Sequence, residues 1–266
     1  MTDYSSYQYI LVSVSDRVAR IVLNRPEVSN ALATLEFDEI EEVIHRLDAD
    51  PEVGAILFSG AGKNFCAGGD INRFRQLLDS GEGLDSRSIY KVGKMTQAIC
   101  FCTKPVIAMI NGAAAGGGFS IAAACDFRVV SPSSRFVMSF INIGLPADTG
   151  SMFNLTRLVG GARAVEIMRL GETISGTRAF EIGLATRLVP DEALEEEALK
   201  FASRLAHGPL QAYRRQKMME NAFFRDHYEA YSIAESVYMA ECSHTKDFEE
   251  AITAFLEKRK PKFTGE

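Results

Sequence analysis

Two glycine-rich loops hold the residues whose types and spacing could do chemistry. The first, Gly60-Ala61-Gly62-Lys63-Asn64-Phe65-Cys66-Ala67-Gly68-Gly69-Asp70, follows an apolar run at residues 53–58. The second, Asn111-Gly112-Ala113-Ala114-Ala115-Gly116-Gly117-Gly118-Phe119, follows another at 105–110. Glycine lets the main chain approach a ligand closely and leaves peptide N–H groups unclaimed. The second loop opens a predicted helix, so the positive end of its dipole would lie beside a developing oxyanion. Either loop alone reads as a tight turn; the pair points to a site. A phosphate cradle is disfavoured, because no Gly-Lys-Ser/Thr follows and no G-x-G-x-x-G opens the first helix.

The remaining reactive side chains are fewer. Asp148, in Gly144-Leu145-Pro146-Ala147-Asp148-Thr149-Gly150, precedes a predicted helix, where aspartate is a favoured N-cap. Ser120 has no histidine near it in the sequence, and His45, His207, His227 and His244 fall in helical or surface-like segments. The acidic residues Asp191, Glu192 and Glu195 to Glu197 suit an exposed helix face. Tyr228, Tyr231 and Tyr238 suit a helix that packs on a partner subunit as well as one that meets a substrate. No Cys/His spacing suits a metal site.

The elements that must position these residues follow from apolar periodicity. Strands are predicted at 9–14 and 17–23, joined at Ser15-Asp16, with Pro26 ending the second. A helix at 34–47, with Thr34 as its expected cap, leads to the strand at 53–58. A helix at 86–101, a strand at 105–110, a helix at 116–124 and a strand at 127–130 repeat the cycle. Residues 72–90 are expected to form a variable pocket wall, with Gly81 and Gly83 allowing mobility. Beyond Thr149 the pattern is helical, at 151–159, 162–170, 192–206, 210–224, 228–241 and 246–258. This predicts an α/β core over residues 1–200 and a helical C-terminal region over 201–266.

The 266 residues are 47% hydrophobic and 24% charged, enough to bury a sizeable core. The net charge of −6 and the scattered basic residues carry no nucleic-acid footprint, and no apolar run reaches the length of a membrane span. The first seven residues lack the basic and apolar stretches of a secretory signal, and the last four are not a peroxisomal address. Five cysteines among mostly small or apolar neighbours read as reduced thiols, so the expected location is cytoplasmic.

These residues resemble the crotonase, or enoyl-CoA hydratase/isomerase, superfamily. The resemblance rests on Ile21-Val22-Leu23-Asn24-Arg25-Pro26-Glu27 with Asn30-Ala31-Leu32, on Asn64 to Asp70, on Asn111-Gly112 with Gly116-Gly117-Gly118, on Cys125-Asp126, and on Ala254 to Lys260. It implies a crotonase-like spiral of ββα units and a helical tail that builds homotrimers or hexamers. It implies an acyl-CoA thioester substrate, with coenzyme A carried on the substrate and no separate cofactor. The oxyanion-hole N–H groups would be those of Gly69 and Gly117. Ala67, Asp70 and Ile71 match the stretch that lines the CoA adenine and pantetheine; Phe255 and Lys258 match C-terminal residues that meet CoA, often from a neighbouring subunit.

The same resemblance narrows the chemistry. Hydratases of this superfamily position water with two glutamates, and the matching positions here are Ser120 and Phe140. Asp148 lies where some isomerases place their acid. The stretch from Phe136 to Leu145 and the ending Lys262-Phe263-Thr264-Gly265 resemble the ring-epoxide/oxepin-CoA isomerases of phenylacetate degradation. The expected enzyme is therefore a Δ3–Δ2 enoyl-CoA or ring-epoxide/oxepin-CoA isomerase of fatty acid or aromatic acid metabolism, with Asp148 as proton shuttle. Alternatives are an atypical hydratase, an acyl-CoA decarboxylase and a non-catalytic acyl-CoA-binding paralogue.

Overall fold

Alternation starts the chain: in β1 (Ile10–Ser15) buried and more exposed residues alternate, and it pairs antiparallel with β2 (Val18–Leu23). The two-residue turn between them is Asp16-Arg17, both left-handed at φ 50° and 60°, one residue beyond the expected Ser15-Asp16. That geometry matches the twist of the flanking strands. The computed structural model describes residues 3–266, apart from the Thr34 side chain, so the cap expected of Thr34 lies outside the described residues. Thr34 itself opens α1 (Thr34–Ala49), and the Glu36 carboxylate accepts the Ala33 N–H at 3.2 Å.

The strands that follow lie parallel. β3 (Ala55–Gly60) and, after α2 (Ile71–Asp79) and α3 (Ser86–Phe101), β4 (Val106–Ile110) are buried along their whole length. Strands covered on both faces read as unbroken apolar runs, which is how they appear in the sequence. The chain continues through β5 (Ala113–Ala115), α4 (Gly117–Ala124), β6 (Phe127–Val130), β7 (Arg135–Val137), α5 (Ser151–Val159), α6 (Gly161–Leu170), β8 (Thr173–Ser175), α7 (Gly176–Glu181) and β9 (Arg187–Leu188). The main sheet has the order β1-β2-β3-β4-β6-β9, parallel after its first pair. A smaller sheet, β5-β7-β8, stands beside it.

Side chains of a strand alternate between faces, and the two faces have different covers. Ala55, Leu57, Ile107 and Met109 face α8 (Leu194–Ala206) through Ala198, Phe201 and Leu205. Ile56, Phe58, Val106 and Ala108 belong to the larger cluster with α1 and α3. That cluster continues into α10 (Tyr228–Cys242) and α11 (Lys246–Leu256) through Tyr228, Met239, Phe248 and Ile252, whereas α9 (Leu210–Phe224) packs on the smaller cluster through Tyr213. The mixed α/β core and the helical C-terminal region are thus both present, joined by shared packing. Residues 72–90, expected as a variable pocket wall, contain most of α2 and the start of α3. Among the described residues no helix is long and apolar enough to cross a membrane.

Candidate active site

The two glycine loops leave adjacent parallel strands, β3 and β4, on the same side of the sheet. Three asparagines, Asn30 buried and Asn64 and Asn111 partly so, brace them. Asn111 bonds both peptide groups of Gly60, at 3.0 and 2.7 Å. Asn64 accepts the Ala113 N–H at 3.1 Å, and Asn30 donates to the carbonyls of Ala61 and Asn64 at 3.0 and 2.8 Å. The loops then pair directly: Cys66 N–H donates to Ala113 and Ala115 N–H to Cys66, at 3.0 and 2.9 Å. Leu32 N–H takes the Gly68 carbonyl and Asp70 N–H the Leu32 carbonyl.

Among the described residues, the peptide N–H groups of Gly69 and Gly117 take no partner within the chain. Gly117 is buried and Gly69 partly so, and N–H groups left unclaimed at adjoining loops have the chemistry to receive an anion or a carbonyl oxygen. Gly117 is the first residue of α4, all of whose residues are buried, so the helix dipole reinforces that polarity.

Both glycines line a cavity of about 790 Å³. Ala67, Asp70, Ile71, Phe140, Asp148 and Phe255 also line it; Lys258 does not, and Arg259 stands there instead, paired with Glu250 and Glu257. Phe255 reaches the cavity from α11 of the same chain. Asp70 caps α2 by accepting the Asn72 N–H at 3.1 Å, and Arg25 links it, at 3.4 Å, to the buried Glu36 at 2.8 Å.

Asp148 is 7% exposed, and burial pushes its carboxyl from 3.8 up to about 7, against a smaller downward pull from the Thr149 hydroxyl. It is not a helix cap: α5 begins at Ser151 with Gly150 at the N-cap position. The positions matched to the hydratase glutamates differ in kind. Phe140 forms cavity wall, whereas Ser120 is wholly buried, bonded to the Gly116 carbonyl at 3.2 Å and to the Ser151 hydroxyl at 2.6 Å. Ser151 in turn donates to the Asp148 carbonyl.

Sequence reasoning missed Glu235 of α10, which is 6% exposed. Its carboxylate accepts the Gly150 N–H on both oxygens, at 2.9 and 3.1 Å. Burial and then the charge of Asp148 push it up to about 8, while the Gly150 N–H and Tyr231 hydroxyl pull it down. Nothing in its local sequence distinguishes it from a solvated helix glutamate.

Comparison with known proteins follows the same lines. The family model described as Enoyl-CoA hydratase/isomerase matches residues 13–266. The trans-2-decenoyl-[acyl-carrier-protein] isomerase of Streptococcus mutans is 33% identical over 263 residues, covering 97% of this chain and 99% of that protein. A probable enoyl-CoA hydratase of Rhodobacter capsulatus is 36% identical, covering 98% and 99%. The 1,2-epoxyphenylacetyl-CoA isomerase of Escherichia coli is 32% identical, covering 97% and 99%. The crystal structure of an enoyl-CoA hydratase from Mycobacterium avium subsp. paratuberculosis superposes with a TM-score of 0.87 at 30% identity, covering 97% of this chain and 99% of that one. With its crotonase fold, its paired glycine loops and a match across nearly its whole length, the chain belongs to the enoyl-CoA hydratase/isomerase family.

Proposed function

We propose that this chain is an acyl-CoA isomerase in which Gly69 and Gly117 hold the thioester carbonyl and Asp148 moves the proton. The observation that carries this reading is Asp148, among the described residues the one buried carboxyl lining the cavity, where the positions matched to hydratase acids hold Ser120 and Phe140. The ionised Asp148 takes a proton from C2 of a β,γ-unsaturated acyl group. The electron pair moves onto the thioester oxygen, held by the two N–H groups. Protonation at C4 by the same carboxyl then returns the pair, so the double bond shifts from C3–C4 to C2–C3. A general acid–base near the working pH contributes about 10²–10⁴ in rate, and each oxyanion donor a similar factor.

Coenzyme A enters on the substrate, along Ala67, Asp70, Ile71 and Phe255, with no separate cofactor. Assembly as a homotrimer or hexamer would cover the exposed apolar residues of α9, Met219, Phe223 and Phe224. The test compares Δ3-enoyl-CoA and ring-epoxide-CoA isomerisation with crotonyl-CoA hydration, for the wild type and Asp148→Asn. A loss of isomerisation by about a thousandfold or more in the variant, with CoA binding intact, supports the reading. Unchanged turnover, or hydration as the main wild-type activity, overturns it.

A further inference from the structure

Asp148 sits in a backbone run that proteins rarely adopt. Ala147 has φ 93° and Thr149 φ 56°, both left-handed, and Gly150 follows at φ 67°. Alanine and threonine pay for that conformation sterically, so such a run persists only where surrounding groups over-determine it. The local bonds are short-range: the Thr149 and Ser151 hydroxyls both donate to the Asp148 carbonyl. Two anchors come from elsewhere in the chain: the Ser120 hydroxyl on Ser151, and Glu235, 85 residues beyond Gly150, which takes the Gly150 N–H on both carboxylate oxygens.

Glu235 is itself fixed. It is 6% exposed on α10, where α10 packs on α3. The crossing is at Gly93, where an added Cβ would come 2.7 Å from the Ser232 hydroxyl and 3.7 Å from a Glu235 carboxylate oxygen. The absence of a side chain at Gly93 therefore makes room for the Ser232 hydroxyl, one turn before Glu235 on the same helix, and lets α10 lie close against α3. Glu235 is not among the residues lining the cavity, so an effect on turnover must pass through the run it holds, whose cavity-lining residues are Asp148 and Thr149.

We infer that Glu235 is a positioning residue for Asp148, holding the left-handed run at residues 147–150 through the Gly150 N–H so that the Asp148 carboxyl faces the thioester. This rests on the isomerase reading and specifies how its acid is aimed. The active-site acid is then set from the C-terminal helices, although its own segment lies in the core.

The test is steady-state isomerisation of a β,γ-unsaturated acyl-CoA by Glu235→Ala, Glu235→Gln, Asp148→Asn and the double variant E235A/D148N, with thermal unfolding as a check on folding. E235A should lower kcat by about ten- to a hundredfold with KM within about threefold, as expected when a reacting group is misplaced by an ångström or so. E235Q should return kcat to within about threefold of wild type, because the amide oxygen still accepts the N–H. E235A should add nothing in the D148N background, since the aimed group is already gone. If E235A does not fold, Glu235→Asp, one methylene short, must show the same selective loss of kcat. Full kcat in E235A or in a substituting E235D, no recovery in E235Q, or an equal loss with and without Asp148 each overturns the inference. An inert D148N beside a fully active E235A removes only this inference; a fully active D148N removes the isomerase reading as well.

Discussion

A methyl group on Gly68 would lie 3.1 Å from the amide nitrogen of Gly117 and 2.7 Å from the carbonyl oxygen of Ala115. One glycine of the first loop therefore guards the donor of the second, at φ 86°, where L residues are strained. Gly68→Ala should push the loops apart and cost kcat/KM about a hundredfold, the scale of losing one oxyanion donor. The measurement is kcat/KM on a Δ3-enoyl-CoA; a loss under threefold would show that the loops yield without harm.

Asp148 sets a pH dependence of rate and of stability. Its folded value, about 7, lies above its ordinary 3.8, so ionisation is what folding disfavours. The cost is absent below pH 3.8, grows as pH rises and is complete above about pH 7. Asp148→Asn should therefore be more stable than wild type, with a gap that widens from pH 5 to pH 8 in urea unfolding. The kcat of the wild type should rise through about pH 7 as the base form appears. A stability gap that is flat with pH would contradict this.

Arg25 neutralises the buried Glu36 and steadies Asp70. Arg25→Ala strands a carboxylate whose side chain is only 4% exposed, which should cost about 3 kcal/mol. Chemical denaturation measures it; a loss below about 1 kcal/mol would mean water reaches Glu36 freely.

Ser120 cannot simply be exchanged for the glutamate of a hydratase. It is fully buried and bonded to Ser151 and Gly116, so Ser120→Glu forces a longer, ionisable side chain into filled space. The expected result is a thermal midpoint lower by about 10 °C or more and no gain of crotonyl-CoA hydration. A stable variant that hydrates crotonyl-CoA would show that α4 can rotate this position into the cavity.

Phe255 and Lys258 should separate in kinetics. Phe255 lines the cavity although it is 60% exposed, so Phe255→Ala should raise KM by about three- to tenfold at nearly constant kcat. Lys258→Ala should change neither by more than about twofold, because Lys258 stands outside the cavity lining. The reverse pattern would place the acyl-CoA along a different wall.

Much of the fold was legible because long amphipathic periods are local facts. The helices Ser86–Phe101, Ser151–Val159 and Leu210–Phe224 have the predicted ends. Helix Ile71–Asp79 was missed amid its polar residues, although Ile71, Phe74, Leu77 and Leu78 keep helical spacing. The three-residue strands of the small sheet are too short to show a period at all. At the site, glycine loops announced free N–H groups because glycine density is visible in sequence. The setting of Asp148 was not visible: whether it caps a helix depends on where α5 starts, and Glu235 reaches it only through tertiary packing.

The proposed carbonyl receptor is made of main chain, and that has a consequence for descent. No codon change to any residue but proline deletes a peptide N–H, so ordinary substitutions at 69 or 117 disturb the receptor's shape without erasing its donors. The acids around it are side chains, each replaceable in a single step. A lineage built this way can trade one proton carrier for another while the means of stabilising the enolate persists, and relatives with hydratase and isomerase names sit at similar distances from this chain.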